Sequence, residues 1–224
     1  MRFYRGAPLI VFLLTMPFFN AYGDTAASCT SQKVETLIKE LESISWSPPT
    51  EAGGEYSAEL IAQLGECRDP RAIPAILTVL GHAGGSLVVD AFAKIGPSSI
   101  PALADKIKSG TKSEKMAALF YLGKLSEKLS SFGHSLSTNN KKETQTVFKR
   151  AIVDEDYEVR ESTIQAISSS IGVYGEEEKR ELTKLLESIS RSDPYVVRRS
   201  VAGKEGTIYP VREKATALLK KINQ

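Results

Sequence analysis

Six short segments of this chain repeat a single apolar spacing. Val34, Leu37, Ile38 and Leu41; Ile73, Ile76, Leu77 and Leu80; Val88, Ala91, Phe92 and Ile95; Ile100, Leu103, Ala104 and Ile107; Leu182, Leu185, Leu186 and Ile189; and Ala215, Leu218, Leu219 and Ile222 all fall at i, i+3, i+4 and i+7. That interval lines four apolar side chains along one stripe of an α-helix. A stripe on a short helix has nothing of its own to bury against, so many such helices in succession must stack on one another. The expectation is an all-α protein, an α-solenoid of stacked antiparallel helix pairs.

The punctuation between stripes sets the expected helices. The first covers 31–44, followed by a loop through Trp46 that Pro48, Pro49, Gly53 and Gly54 force on the chain. From residue 55 the chain reads as nearly continuous helix. Leu60, Ile61 and Leu64 carry the second helix. Asp69-Pro70 opens the third, with a carboxylate to accept amide hydrogen bonds and a proline preset for the first turn. Breaks at 81–85 and at Gly96-Pro97 separate the fourth and fifth. A sixth helix over 113–129 is expected to turn Met116, Leu119, Phe120, Leu122 and Leu125 inward. The polar stretch 130–142 reads as the main interior loop. Val147, Phe148, Ala151 and Ile152 mark a seventh helix, 159–171 the eighth, 176–189 the ninth and 210–222 the last. No segment keeps a two-residue alternation long enough to argue for a strand.

Residues 1–23 read as a leader. Arg2 and Arg5 precede an apolar run from Pro8 to Phe19, and Ala21-Tyr22-Gly23 supplies small residues for cleavage before Asp24. The run is too short for a bilayer, which takes about 20 residues, so no stable membrane span is expected after cleavage. The expected organisation is a signal peptide over 1–23, an N-terminal helix and Pro/Gly-rich capping element over 24–54, and a repeat domain over 55–224, exported to the periplasm or secreted. The leader takes two arginines and no acid from a total of 29 Lys+Arg and 27 Asp+Glu, which leaves the mature chain balanced. A balanced chain has no overall field to draw it onto nucleic acid or anionic lipid. The only cysteines, Cys29 and Cys67, lack any metal-binding spacing. They read either as one disulfide or as two small buried thiols. Lipidation of Cys29, suggested by Ala26-Ala27-Ser28 before it, is disfavoured by the missing leucine three residues upstream.

The stripes sit inside longer similarities. Leu64-Gly65 leads to Ile73-Pro74-Ala75-Ile76, and 31 residues on Ile95-Gly96 leads to Ile100-Pro101-Ala102-Leu103. Leu122-Gly123 and Ile171-Gly172 repeat the apolar-glycine pair. Val159-Arg160, Val197-Arg198 and Val211-Arg212 repeat a Val-Arg helix start. A period of 30–50 residues built of helix pairs is the mark of a solenoid. At Leu64-Gly65-Glu66-Cys67-Arg68-Asp69-Pro70-Arg71-Ala72-Ile73-Pro74-Ala75-Ile76, and again at Pro210-Val211-Arg212-Glu213-Lys214-Ala215, the chain resembles the HEAT-repeat family, in particular its short-repeat branch named after phycobilisome lyases. The resemblance covers residues 55–222 in patches and is weakest over 110–149. It implies paired helices in a curved superhelix and protein binding on an extended surface. It also implies that Arg160 and Arg212 pair with aspartates in neighbouring turns. An exported chain matches a pigment lyase poorly, so the branch name carries no expectation of chromophore work.

Catalytic chemistry is hard to assemble from this sequence. His82 and His134 each stand in a break or polar loop, without a second ligand at helical spacing and without a nucleophile or orienting acid beside them. Both read as solvated loop histidines. Gly81 to Gly85 lacks the lysine of a phosphate-binding loop. Glu176-Glu177-Glu178 and Asp154-Glu155-Asp156 precede or open helices, where negative charge complements exposed amides. No catalytic, cofactor or metal residues are assigned. A local basic and aromatic surface is the better candidate site: Tyr195, Arg198, Arg199 and Tyr209, within 191–209, read as a short helix followed by an inserted loop. Such a surface suits an acidic protein or a glycan, and the alternative is a plain solvated connector. Trp46 reads either as a partner anchor or as a cover for the end repeat.

The expected function is therefore that of an exported non-enzymatic scaffold or adaptor, binding a protein partner through its concave helical face and binding no nucleic acid. Other readings kept open are an inhibitor of an exported enzyme or toxin, a structural spacer, and a pigment or metal chaperone or enzyme using a groove pocket. Leu77 and Leu186 lie on two well-separated stripes, so Leu→Ala at either should lower unfolding free energy by about 2–5 kcal/mol in urea melts. Losses below about 0.5 kcal/mol, typical of surface sites, would refute the stripe assignment.

Overall fold

The structure, a computed structural model, describes residues 29–44, 51–80, 85–201 and 204–224, with the side chains of 51–54, 199–201 and 204–205 left out. Trp46, His82 and the leader thus lie outside the described residues. The helices are α1 (Ser31–Glu42), α2 (Glu51–Cys67), α3 (Ile73–Thr78), α4 (Gly85–Ile95), α5 (Ser99–Ser109), α6 (Lys112–Lys128), α7 (Thr138–Ala151), α8 (Tyr157–Ser170), α9 (Glu176–Ser192) and α10 (Pro210–Ile222). They stack in sequence order as two rows. The even-numbered helices pack α2 on α4, α4 on α6, α6 on α8 and α8 on α10; the odd-numbered helices form the second row against them.

The stripes go where their spacing demands. All four residues of the segments beginning at Ile73, Val88 and Ile100 are buried, and so are Val34, Leu37, Leu41, Leu182, Leu186, Ile189, Ala215 and Leu218. Helix ends follow local chemistry. Thr30 caps α1 through the amide of Lys33, and Asp69 accepts the amide of Arg71 to open a short 3-10 turn, Pro70–Ala72, ahead of α3. Thr111 and Glu114 form a reciprocal capping box at the start of α6, and Asp156 accepts the amide of Glu158 to begin α8.

Four expectations need correction. Phe120 is 39% exposed, because the buried arc of α6 runs through Ala118, Tyr121, Leu122 and Leu125. The 130–142 loop is mostly structured: a 3-10 turn covers Leu129–Phe132, and a Ser137–Asn140 capping box starts α7 at Thr138. The 191–209 segment is not a short helix plus loop. α9 runs on to Ser192, and an antiparallel hairpin follows, β1 (Val197–Val201) with β2 (Lys204–Ile208), registered Val197 to Ile208 and Val201 to Lys204. The short run of β-branched residues there is too brief for a clear alternation. Finally, α2 begins at Glu51, inside the stretch read as a Pro/Gly loop.

The repeated apolar-glycine pair performs different tasks at different sites. A Cβ on Gly65 would stand 2.7 Å from the Cα of Ala91, and one on Gly123 would stand 2.7 Å from the Cα of Ala166. These two glycines therefore let α2 close on α4 and α6 close on α8. Gly96 instead turns the chain at φ +101°, a backbone state that favours glycine. The structure also joins Cys29 to Cys67 by a disulfide, which ties the segment before α1 to the end of α2.

Gly123→Ala should thus force backbone apart and cost about 1–3 kcal/mol. Gly172→Ala meets nothing within 4 Å and should stay within about 0.5 kcal/mol of the parent. Urea melts of the two variants side by side check the pair, and equal losses would refute the close-approach reading.

Candidate functional site

Between α5 and α7 the odd row opens into a cleft of about 400 Å³. Ala104, Ile107 and Ala151 form its buried floor, and half-buried Val147 continues the apolar surface. Asp105, Lys108, Thr146 and Arg150 stand exposed at its rim, with Glu143 half-buried beside them. The arrangement follows from helical spacing: Ala104, Ile107 and Lys108 share one face of α5, and Glu143, Val147, Arg150 and Ala151 share one face of α7. The two alanines keep the floor low, so the walls enclose space instead of filling it.

Lys115 and Asp154 close one end of the cleft. Nζ of Lys115, on α6, donates to Oδ2 of Asp154, in the link between α7 and α8, at 2.8 Å. Burial alone would raise the Asp154 pKa, but the Lys115 ammonium and the amide of Asp156, at 3.0 Å from Oδ1, outweigh it and hold the carboxyl below its ordinary value. Asp154 is thus a cleft carboxylate, whereas Asp156 is the helix-start acid. Lys115 is itself held by the α5–α6 corner. There Glu114 receives Nζ of Lys106 at 2.7 Å and the amide of Thr111 at 2.8 Å, and these bonds bring its pKa down to about 2.

The residues singled out in the sequence form a second cluster at the C-terminal end, apart from the cleft. Tyr195 stacks parallel on Tyr157, with ring centres 3.6 Å apart, and Tyr209 lies under the Arg212 guanidinium at 4.3 Å. Arg198 is exposed on β1, and Arg199 falls where side chains are not described. The centre of this cluster is Asp193, which is 2% exposed. Nε and Nη2 of Arg160 donate to its two carboxylate oxygens at 2.6 and 3.1 Å, and Nη1 of Arg160 reaches the carbonyls of Asp154 and Glu155. The pairing that the family resemblance implies therefore holds for Arg160. Arg212 differs: its Nε donates to the backbone carbonyl of Asp193 at 2.6 Å, not to a carboxylate.

His134 is not a solvated loop residue. Its ring covers Gly96, whose added Cβ would meet it at 3.1 Å, and Nε2 lies 3.4 Å from the carbonyl of Lys94 at the end of α4. Among the described residues, no group of three or more His, Cys, Asp or Glu is arranged to hold a metal ion, and no helix is long and apolar enough to cross a membrane.

Neither a protein-family model nor a curated protein sequence matches the chain. A solved structure does: the complex of CpcE and CpcF of phycocyanin lyase from Nostoc sp. PCC7120, at 15% sequence identity and a TM-score of 0.51, over 84% of this chain and 99% of that one. The fold is that of a HEAT-like helical repeat. The same finding corrects the functional expectation. The stacked short helices lead to the expectation of a non-enzymatic scaffold with no enzyme activity, yet this architecture is carried by a lyase.

Little in the sequence marks the cleft. Lys108, Lys115, Glu143 and Arg150 look like ordinary solvent-facing helix charges, and Asp154 stands out only as part of an acidic run before a helix. The Glu114 corner supplies a pH test. A carboxyl held at about 2 stabilises the fold fully above its ordinary value near 4.5, and that stability is lost as pH falls toward 2. Glu114→Gln should therefore shrink the loss of melting temperature between pH 6 and pH 3, values chosen to bracket about 4.5. An unchanged difference would contradict the corner's role.

Proposed function

We propose that this chain is an exported, lyase-type pigment-handling protein, a chaperone or transfer enzyme that takes a small conjugated molecule into the α5–α7 cleft and works against a second protein chain. The observation that carries the reading is the cleft itself: about 400 Å³, with an apolar floor and a charged rim. That volume falls among small-molecule sites, which usually combine an apolar lining with a few placed polar groups. Ala104, Ile107, Val147 and Ala151 suit a flat conjugated body. Lys108 and Arg150 suit its carboxylates, and among the described residues neither is engaged in an ion pair. The Lys115–Asp154 pair adds an ammonium and a carboxylate side by side at one end, the groups a proton transfer needs. The likeness to a phycocyanin lyase built from two subunits supports both the pigment class and the second chain. Export is supported by the leader-like residues 1–23 and fits the Cys29–Cys67 disulfide, since such bonds persist in oxidising compartments.

The test is a titration of the mature chain with biliverdin as the linear tetrapyrrole probe, read by visible absorption. A saturable shift is expected. Lys108→Glu with Arg150→Glu should weaken binding by about tenfold or more, about 1.4 kcal/mol, and Thr146→Trp at the exposed rim should block uptake without touching the core. Absence of a shift in the parent, or identical titrations in all three proteins, would overturn the proposal.

A further inference from the structure

The cleft carboxylate is held from two sides, and the second holder lies outside the cleft. Asp154 stands in the link between α7 and α8, where its amide donates to the carbonyl of Ala151 at 3.2 Å. Its own carbonyl and that of Glu155 accept Nη1 of Arg160 at 2.8 and 3.0 Å. Arg160 sits in the first turn of α8, and helical side chains tilt toward the N-terminus of their helix. It therefore reaches back over the link and not along α8. An arginine side chain has many rotamers to lose, so something must aim it.

Asp193 aims it. Its two carboxylate oxygens accept Nε and Nη2 of Arg160 at 2.6 and 3.1 Å. A guanidinium is planar and rigid, so fixing one edge fixes the direction of the remaining nitrogen. Asp193 is anchored in turn at the end of α9. Its amide donates to the carbonyl of Ile189 at 3.1 Å, its carbonyl accepts Nε of Arg212 from α10, and its Oδ1 accepts the amide of Tyr195 at 2.9 Å. Both side chains of the pair are buried. A buried pair of this kind adds little net stability over apolar side chains of similar volume. What it supplies here is direction, carried from α9 and α10 through α8 to the end of the cleft.

We infer that Arg160 is a positioning residue for the cleft: clamped by Asp193, its guanidinium holds the backbone of Asp154 and Glu155 so that the Asp154 carboxylate meets Lys115. Proton transfer needs donor and acceptor within hydrogen-bond reach, and a displacement of about 1 Å is enough to lose it. Released from Arg160, the link lets Asp154 move away from the ammonium. The inference rests on the reading above only in treating the Lys115–Asp154 end as functional, and it is indifferent to which molecule the cleft takes.

The test is a carboxyl-carbon NMR titration of the mature chain without pigment, because the Asp154 carboxyl senses how near Lys115 stands. In the parent it should titrate below about 3.9, the ordinary aspartate value. Arg160→Met with Asp193→Leu replaces the pair by apolar side chains and removes both charges together, so none is left buried alone. The Asp154 midpoint should then rise by about 1 pH unit or more, while Glu114 keeps its value of about 2. Arg160→Lys keeps the charge but lacks the planar fork, and it should raise the midpoint too. The other charged groups around Asp154 are Asp156 in its link, Asp105 and Lys108 of α5, and Glu143 and Arg150 of α7, and all are the same in every variant. Three results would each overturn the inference: an unchanged midpoint in the folded double variant, the parent's midpoint in Arg160→Lys, or loss of cooperative folding in both. The second would make Arg160 a charge and not a positioner, and the third would make the pair a requirement for folding. Biliverdin titration of the parent separates the two proposals, since absent uptake would sink the pigment reading while the carboxyl titrations still decide the positioning.

Discussion

How closely neighbouring helices of the even row can approach governs the rest of this structure. Two junctions have lost their side chain: Gly65 faces Ala91 between α2 and α4, and Gly123 faces Ala166 between α6 and α8. The junction between them does the opposite. There Phe92 of α4 and Tyr121 of α6 meet edge-on with ring centres 6.2 Å apart, which holds those helices at a distance. The odd row answers in kind. There α5 packs on α7, with α3 before and α9 after them. A stack drawn together on one side must spread on the other. The aromatic pair thus sets the spacing of the repeats whose odd members, α5 and α7, wall the cleft, and the alanines at its floor keep that space from being filled.

Around this frame, polar chemistry is concentrated at two corners. At the α5–α6 corner, Lys106, Thr111 and Glu114 lock the start of α6 and so place Lys115 against Asp154 at the cleft end. At the C-terminal end, Arg160 and Asp193 form the most deeply buried ion pair described here, with side chains 8% and 1% exposed. Breaking a buried pair by removing one partner is far costlier than its net contribution suggests, because the remaining charge is left without compensation. Elsewhere successive helices of the even row are joined by partly exposed pairs such as Lys128 with Asp90 and Lys214 with Glu161. Pairs of that kind add little individually. The corners, not these surface rungs, set where functional groups stand.

The sequence made the stacked-helix fold legible because a stripe is a local property: Ile73, Ile76, Leu77 and Leu80 announce their own burial. It also made the Arg160 pairing legible, through resemblance to a repeat family. What it hid depends on distance. Gly65, Gly96 and Gly123 look alike in sequence, yet two are contact surfaces and one is a turn, and only their neighbours across the fold distinguish them. The cleft is assembled from charges that look like solvated helix faces, so nothing local marks Lys108 or Arg150. The hairpin was missed because five-residue strands give too few alternations to register. The non-enzymatic reading went wrong for a related reason, since a sequence of stripes describes what is filled and says nothing about the gaps left between them.

The central claim is that the Phe92–Tyr121 spacer in the even row sets the width of the cleft in the odd row. Electron–electron distance measurements between nitroxide labels at Asp105 and Thr146, on opposite walls, test it directly when compared in the parent and in Phe92→Leu. Removing the ring should let α4 and α6 settle closer and shift the label distances to longer values. An unchanged distance distribution in a variant that still folds cooperatively would contradict the account.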